Sequence, residues 1–230
     1  MTLLGRIRQV NPGQPLAKIL AWMCVGQPMC WLFLSLCYRH RWFGVHHIPR
    51  TGPVLLVCNH QSYLDLPVLG VGITHRHFHS MARATLFRNP LFGFIIRLLN
   101  AFPVEQGKGD VKSVRTAIEL LQQGHLVLVF PEGSRTPDGE VKAFSPGIML
   151  LIRKAKPVVV PMAVEGVFGV WPIGAKRPNF RGRTGAIYGQ PIPADDLLAM
   201  PAADATRFIQ QRVENLRLEL NERMARLSSG

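Results

Sequence analysis

No aspartate or glutamate occurs before Asp65, so nothing in the front of this 230-residue chain balances Arg6, Arg8, Lys18, Arg39, Arg41 and Arg50. An acid-free, apolar front end suits an anionic membrane surface, where each nearby Lys or Arg contributes about 1 kcal/mol. Cysteine is scarce too. Cys24, Cys30, Cys37 and Cys58 include no pair at CxxC spacing. That argues against a structural zinc site or a disulfide framework and for reduced thiols. The chain also lacks aromatic–basic interleaving, a recognition-helix motif and zinc-finger spacing. Its formal charge of +13 therefore points away from nucleic acid and toward a lipid surface. Repeats and low-complexity segments are absent. No small-residue cleavage site follows the first apolar run, which argues against a cleaved signal peptide.

What is present is apolar: 47% of residues are hydrophobic and the mean hydropathy is +0.13. Residues 19–38, "ILAWMCVGQPMCWLFLSLCY", carry no charge. As one helix this run would be about 30 Å long, enough to span a bilayer. Yet "GQP" falls near its middle, and Pro28 disfavours an unbroken helix there. Two short helices folded into a hairpin and lying in the membrane interface fit at least as well. A buried soluble helix is the third reading.

After Pro49 strands and helices alternate. Buried-strand patterns cover residues 53–59, 76–82, 101–105, 125–130, 157–164 and about 184–189. Helical patterns cover 89–100, 110–124, roughly 145–155 and 203–227. In the last of these, Ile209, Val213, Leu216, Leu220, Met224 and Leu227 form one stripe, the mark of a core-covering helix. The alternation predicts a single α/β domain with a mixed, mostly parallel central sheet flanked by helices. It is preceded by an apolar, membrane-associating helical segment. The expected division is residues 1–45 for that segment and 46–230 for a catalytic domain.

In such sheets ligand chemistry gathers at strand C-terminal ends, and two strands end in polar sets. The first is "VLLVCNHQSYLD". His60 stands where the strand stops, and Asp65 follows on a turn leading into a helix. If the chain folds back, the carboxylate reaches the second imidazole nitrogen, fixes the tautomer and leaves the other nitrogen free to take a proton. Alone, an HxxxxD spacing occurs by chance in many chains. The second set is "LVLVFPEGSRTPDG", where a turn carries Glu132, Gly133, Ser134 and Arg135. Glycine lets backbone amides approach a ligand, and arginine offers a planar fork that matches phosphate. Glu132 could accept hydrogen bonds from substrate hydroxyls or hold Arg135. "EGSRT" is not the GxSxG nucleophile elbow, so Ser134 reads as a turn or phosphate-contact residue. His75, His77 and His79 would share one face of a strand, but without a carboxylate or cysteine they read as packing or surface histidines. No metal site is expected. The basics Lys176, Arg177, Arg181 and Arg183 read equally as a solvated loop or as contacts to headgroups or cofactor phosphates.

The blocks "NHQSYLD", "AFPVEQG", "FPEGSR" and "PVVVPMAV", in this order, resemble those of the glycerolipid acyltransferases, most closely the bacterial 1-acylglycerol-3-phosphate (lysophosphatidic acid) acyltransferases. The likeness covers about residues 45–195. It implies that His60 is a general base and Asp65 its orienting partner. It also implies that Glu132, Gly133 and Arg135 line the acceptor's phosphate and glycerol pocket, and that Pro161 and its neighbours shape the acyl-binding side. No bound cofactor and no acyl-enzyme are implied. Acyl-CoA or acyl-ACP would be the co-substrate, and lysophosphatidic acid in the membrane the acceptor. One departure stands out. The family's second block usually ends in an arginine, and here Gln106 takes its place, so Lys108 and Lys112 become substitutes for that phosphate contact. Another lysolipid acceptor is therefore the alternative. A membrane-bound ester hydrolase would use the same His–Asp pair on water, and a non-catalytic lipid binder would not need His60 at all. The expected location is the cytoplasmic face of the inner membrane.

Overall fold

The computed structural model describes residues 2–105 and 110–227. Seven strands form one sheet: β1 (Arg41–Phe43), β2 (Val54–Cys58), β3 (His79–Arg83), β4 (Ala101–Val104), β5 (Leu126–Val129), β6 (Val158–Glu165) and β7 (Gly185–Tyr188), in the order β1-β7-β6-β2-β5-β3-β4. From β4 across to β6 all neighbours run parallel; β7 is antiparallel to β6, and β1 runs parallel to β7. The expected mixed, mostly parallel sheet is what forms.

The helices are α1 (Leu3–Val10), α2 (Leu16–Ala21), α3 (Gln27–Tyr38), α4 (Asp65–Gly70), α5 (Pro90–Leu98), α6 (Val111–Gln122), α7 (Ile148–Ala155), α8 (Val167–Val170), α9 (Ala194–Leu198) and α10 (Ala202–Arg226). They cover both sheet faces, which is why β2 and β5 read as unbroken apolar runs rather than alternating ones. Every residue of both strands is buried. Leu56 and Cys58 of β2 face Val68 and Leu69 of α4 together with Leu34 and Tyr38 of α3. Leu55 and Val57 face the opposite way, toward Ala117 and Leu121 of α6 and Ile209 and Val213 of α10. Each fully buried Leu or Val contributes about 1.5–3 kcal/mol, so the centre of the sheet is the most firmly fixed part of the fold.

The hairpin expected within residues 19–38 does not form. The chain is helical without a break from Leu16 to Tyr38. A π-helical turn, Trp22–Gly26, joins α2 to α3, and the Gln27 amide donates back to the Trp22 carbonyl. That wider turn absorbs the extra residue, so Pro28 sits at the start of α3, where its missing N–H costs little. The helix lies along the body rather than standing off it. Ile19, Trp22, Gln27, Leu34 and Tyr38 are buried along its whole length, whereas Val25, Met29, Leu32 and Leu36 are exposed. Midway, the Gln27 side chain donates to the carbonyls of Gly70 and Val71.

The strand expected from residue 76 starts only at His79. Arg76 and His77 are drawn instead into a polar knot under the N-terminal ends of the strands. The Arg76 guanidinium donates to the carbonyls of Val10, Pro49, Gly52 and Gly124. The His77 amide donates to Asn11 Oδ1, and Gln14 Nε2 lies 3.2 Å from His79 and 3.5 Å from His125. No acidic group enters this knot, and among the described residues no cluster of three or more His, Cys, Asp or Glu could hold a metal.

Candidate active site

Strand register brings the two polar sets together. In the β2–β5 pairing Val57 stands opposite Val129. His60 and Glu132 therefore each lie three residues beyond the last paired rung, on strands about 4.8 Å apart. Asn59 sharpens the exit of β2. Its side-chain amide donates to the Val164 carbonyl (3.1 Å) and accepts from the Val164 amide (2.9 Å). In this way a side chain continues the β2–β6 ladder while the backbone turns away.

His60 meets Asp65, as the spacing implied. His60 Nδ1 lies 2.6 Å from Asp65 Oδ2. The same oxygen accepts the amides of Gln61 (2.8 Å) and Ser62 (3.0 Å), so the loop is wrapped around a fully buried carboxylate. An oxygen already accepting two amide protons is an acceptor, so Nδ1 is the donor and Nε2 is left with its lone pair. The imidazole stacks on Phe130, with centroids 4.1 Å apart and planes 15° off parallel.

The second loop is bonded to the first at two points. Glu132 Oε1 accepts the His60 amide (2.9 Å), and the Thr136 amide donates to the His60 carbonyl (2.8 Å). Glu132 is thus turned toward the backbone of His60 and not toward Arg135. Its other oxygen is buried with no hydrogen-bond partner within normal range among the described residues, and burial pushes the carboxyl up to about 7. Gly133 is left-handed (φ 72°) with open space where a side chain would project, so backbone conformation rather than crowding asks for glycine there. Ser134 is exposed and 3.4 Å from the Lys142 ammonium, with no base beside it.

Arg135 packs over Tyr63, its guanidinium carbon 3.7 Å from the ring centroid. Tyr63 in turn leans on Trp171, with ring centroids 5.2 Å apart. Gln106 and Lys108 lie outside the described residues. Pro161 is buried in β6, on the same sheet face as Val159 and Ala163. Asn59, Tyr63 and Trp171 are the participants that motif reading passed over. Tyr63 sits inside the HxxxxD block, and Trp171 had no signal at all.

Chemically, two loops bonded to each other carry an oriented imidazole and a guanidinium. That combination can remove a hydroxyl proton next to a bound anion. Comparison with known proteins agrees. The acyltransferase family model matches residues 40–165. A 1-acyl-sn-glycerol-3-phosphate acyltransferase of Bacillus subtilis (strain 168) is 29% identical over 195 residues, 83% of this chain and 94% of that one. A lyso-ornithine lipid O-acyltransferase of Pseudomonas aeruginosa is 30% identical over 114 residues, 49% of this chain and 43% of that one. Among solved structures, the 1-acyl-sn-glycerophosphate acyltransferase PlsC of Thermotoga maritima shares the fold. It superposes with a TM-score of 0.72 at 24% identity, covering 84% of this chain and 77% of that one. With more than half of its length matched by the family model, this chain belongs to the acyltransferase family.

Proposed function

We propose that the protein transfers a fatty acyl group from an acyl-CoA or acyl-ACP thioester to the free hydroxyl of 1-acylglycerol 3-phosphate, giving phosphatidic acid. The observation that carries this reading is the 2.6 Å contact between His60 Nδ1 and Asp65, on the rim that also presents Arg135. His60 Nε2 takes the hydroxyl proton as the oxygen attacks the thioester carbonyl. The tetrahedral intermediate then collapses, the carbon–sulfur bond breaks, and the imidazolium returns the proton to the departing thiolate. Asp65 stays ionised throughout and stabilises the imidazolium. Gly133, Ser134 and Arg135 line the approach to the acceptor's phosphate. Glu132 contributes by fixing the His60 backbone from the neighbouring strand, and the resemblance assigns Gln106 and Lys108 to acceptor binding as well.

Residues 1–45 form the membrane-docking portion and 46–230 the catalytic portion. One flank of the Leu16–Tyr38 helix exposes Val25, Met29, Leu32 and Leu36, and the chain around it has no acidic residue before Asp65. Both favour docking lengthwise on an anionic bilayer surface, at the cytoplasmic face of the inner membrane. A second acceptor class is favoured by one observation: Gln106 stands where the resemblance puts a phosphate-binding arginine, and a relative carries a lyso-ornithine lipid name.

The test is product formation by purified protein in lipid vesicles, with labelled acyl-CoA or acyl-ACP and a panel of lysolipids. Labelled phosphatidic acid is the expected product, and dependence on acceptor separates transfer from hydrolysis. Product formed only with acceptors that lack a phosphate monoester would overturn the assignment.

A further inference from the structure

Arg135 is tied to its own loop through its backbone, where its carbonyl accepts from the Lys142 ammonium (3.1 Å). Its Nε is buried and has no acceptor among the described residues, and its guanidinium carbon lies over the face of Tyr63, 3.7 Å from the ring centroid. A buried N–H with no acceptor is costly, and proteins keep such a group where a ligand or a special contact compensates it. The ring face supplies part of that compensation, since its quadrupole attracts the cation. It also limits geometry: with its carbon held over the ring, the guanidinium stays beside the loop that carries His60.

Tyr63 is itself held in place. Its amide donates to the Trp171 carbonyl (3.4 Å), which also accepts the Ser62 hydroxyl (2.7 Å). Trp171 is anchored through its indole N–H to the Ala175 carbonyl (3.0 Å). Ser62 is bonded through its amide to Asp65. The five-residue step between His60 and Asp65 therefore does two things at once: it wraps the carboxylate and lays an aromatic platform beside it.

We propose that Tyr63, braced by Trp171, is a positioning residue that holds the Arg135 guanidinium in place to receive the acceptor's phosphate. The proposal rests on the reading above, in which Arg135 meets that phosphate. It gives this chain a specific reason to need the platform: with Gln106 in place of the second-block arginine, more of the anion's binding falls on Arg135. Tyr63 is exposed and its hydroxyl has no hydrogen-bond partner among the described residues, so the ring face alone should suffice.

The experiment compares kcat and KM for 1-acylglycerol 3-phosphate in vesicles across Tyr63→Phe, Tyr63→Leu, Arg135→Ala and the Tyr63→Leu/Arg135→Ala double variant. Tyr63→Phe should match the parent. Tyr63→Leu should raise the acceptor KM about tenfold while kcat stays within about twofold. In the Arg135→Ala background the Tyr63→Leu change should add almost nothing, the non-additivity expected of two groups acting as one. Tyr63→Met provides the same comparison if Tyr63→Leu fails to fold. An unchanged KM for Tyr63→Leu beside a raised KM for Arg135→Ala overturns the Tyr63 proposal and leaves the phosphate site standing. A fall in kcat with KM unchanged also overturns it, since the ring would then act on His60. An unchanged KM for Arg135→Ala removes the phosphate reading itself.

Discussion

The two rims of the sheet both bury histidines among polar groups, and they are built to opposite ends. At the C-terminal rim His60 has a carboxylate partner, and Nε of the Arg135 guanidinium on the neighbouring loop has no acceptor among the described residues. At the N-terminal rim His77, His79 and His125 sit with Gln14, Asn11, Asn100 and Arg76, and the hydrogen bonds close on amides and backbone carbonyls. The number of polar groups does not distinguish a working site from a structural plug. What distinguishes them is a charged partner for one histidine and a buried guanidinium donor beside it that has no acceptor among the described residues. At the plug, burial pulls His77 down to about 4 and His79 to about 3, so these rings are neutral and act as packing that ties the N-terminal helices to the sheet.

The contrast can be broken at either rim. The largest effect is expected at the working rim. His60→Ala should lower turnover by roughly a hundred- to ten-thousand-fold, with the urea midpoint little moved and lysolipid binding kept. Asp65→Asn should follow closely, since an amide cannot stabilise the imidazolium. If either change leaves turnover near the parent's, the working rim has been misassigned. At the plug the loss should appear in stability instead. Arg76→Met leaves the carbonyls of Val10, Pro49, Gly52 and Gly124 without their donor and should cost about 3 kcal/mol in urea unfolding. Turnover per folded molecule should hold. The smallest effect is a pH dependence. His77 and His79 are lowered in the fold from the usual 6.5, so the unfolded chain binds more protons below that value. Their contribution to stability is complete above about pH 6.5 and lost as pH falls toward 4 and 3. His79→Gln should make the fall of the thermal midpoint shallower across that window, and an unchanged slope would remove His79 as its source.

The two rims also differ in how far they could be read from sequence. The working rim was legible because its parts are local: a buried strand run, then His60 and Asp65 five residues apart, with the second loop following its own strand. Register then aligned what sequence could only list. The plug was not legible because its partners are far apart in the chain; Gln14 meets His79 across 65 positions and His125 across 111. In the same knot the His77 amide and carbonyl are taken by Asn11 and Gln14 rather than by a neighbouring strand, and β3 starts only at His79. Pro28 misled for a different reason: proline argues against a straight α-helix, and one π-helical turn upstream removed the conflict. Tyr63 and Trp171 escaped notice because stacking under Arg135 depends on a loop path that no periodicity encodes.

The central claim is that Asp65 holds His60 with its proton on Nδ1, leaving Nε2 to act on the substrate hydroxyl. Nitrogen-15 spectra of histidine-labelled protein at neutral pH test this directly, with the His60 signals identified by their loss in His60→Gln. The account predicts a protonated Nδ1 bonded to carboxylate and an unprotonated, pyridine-like Nε2, both altered in Asp65→Asn. A proton on Nε2 and none on Nδ1 would contradict it.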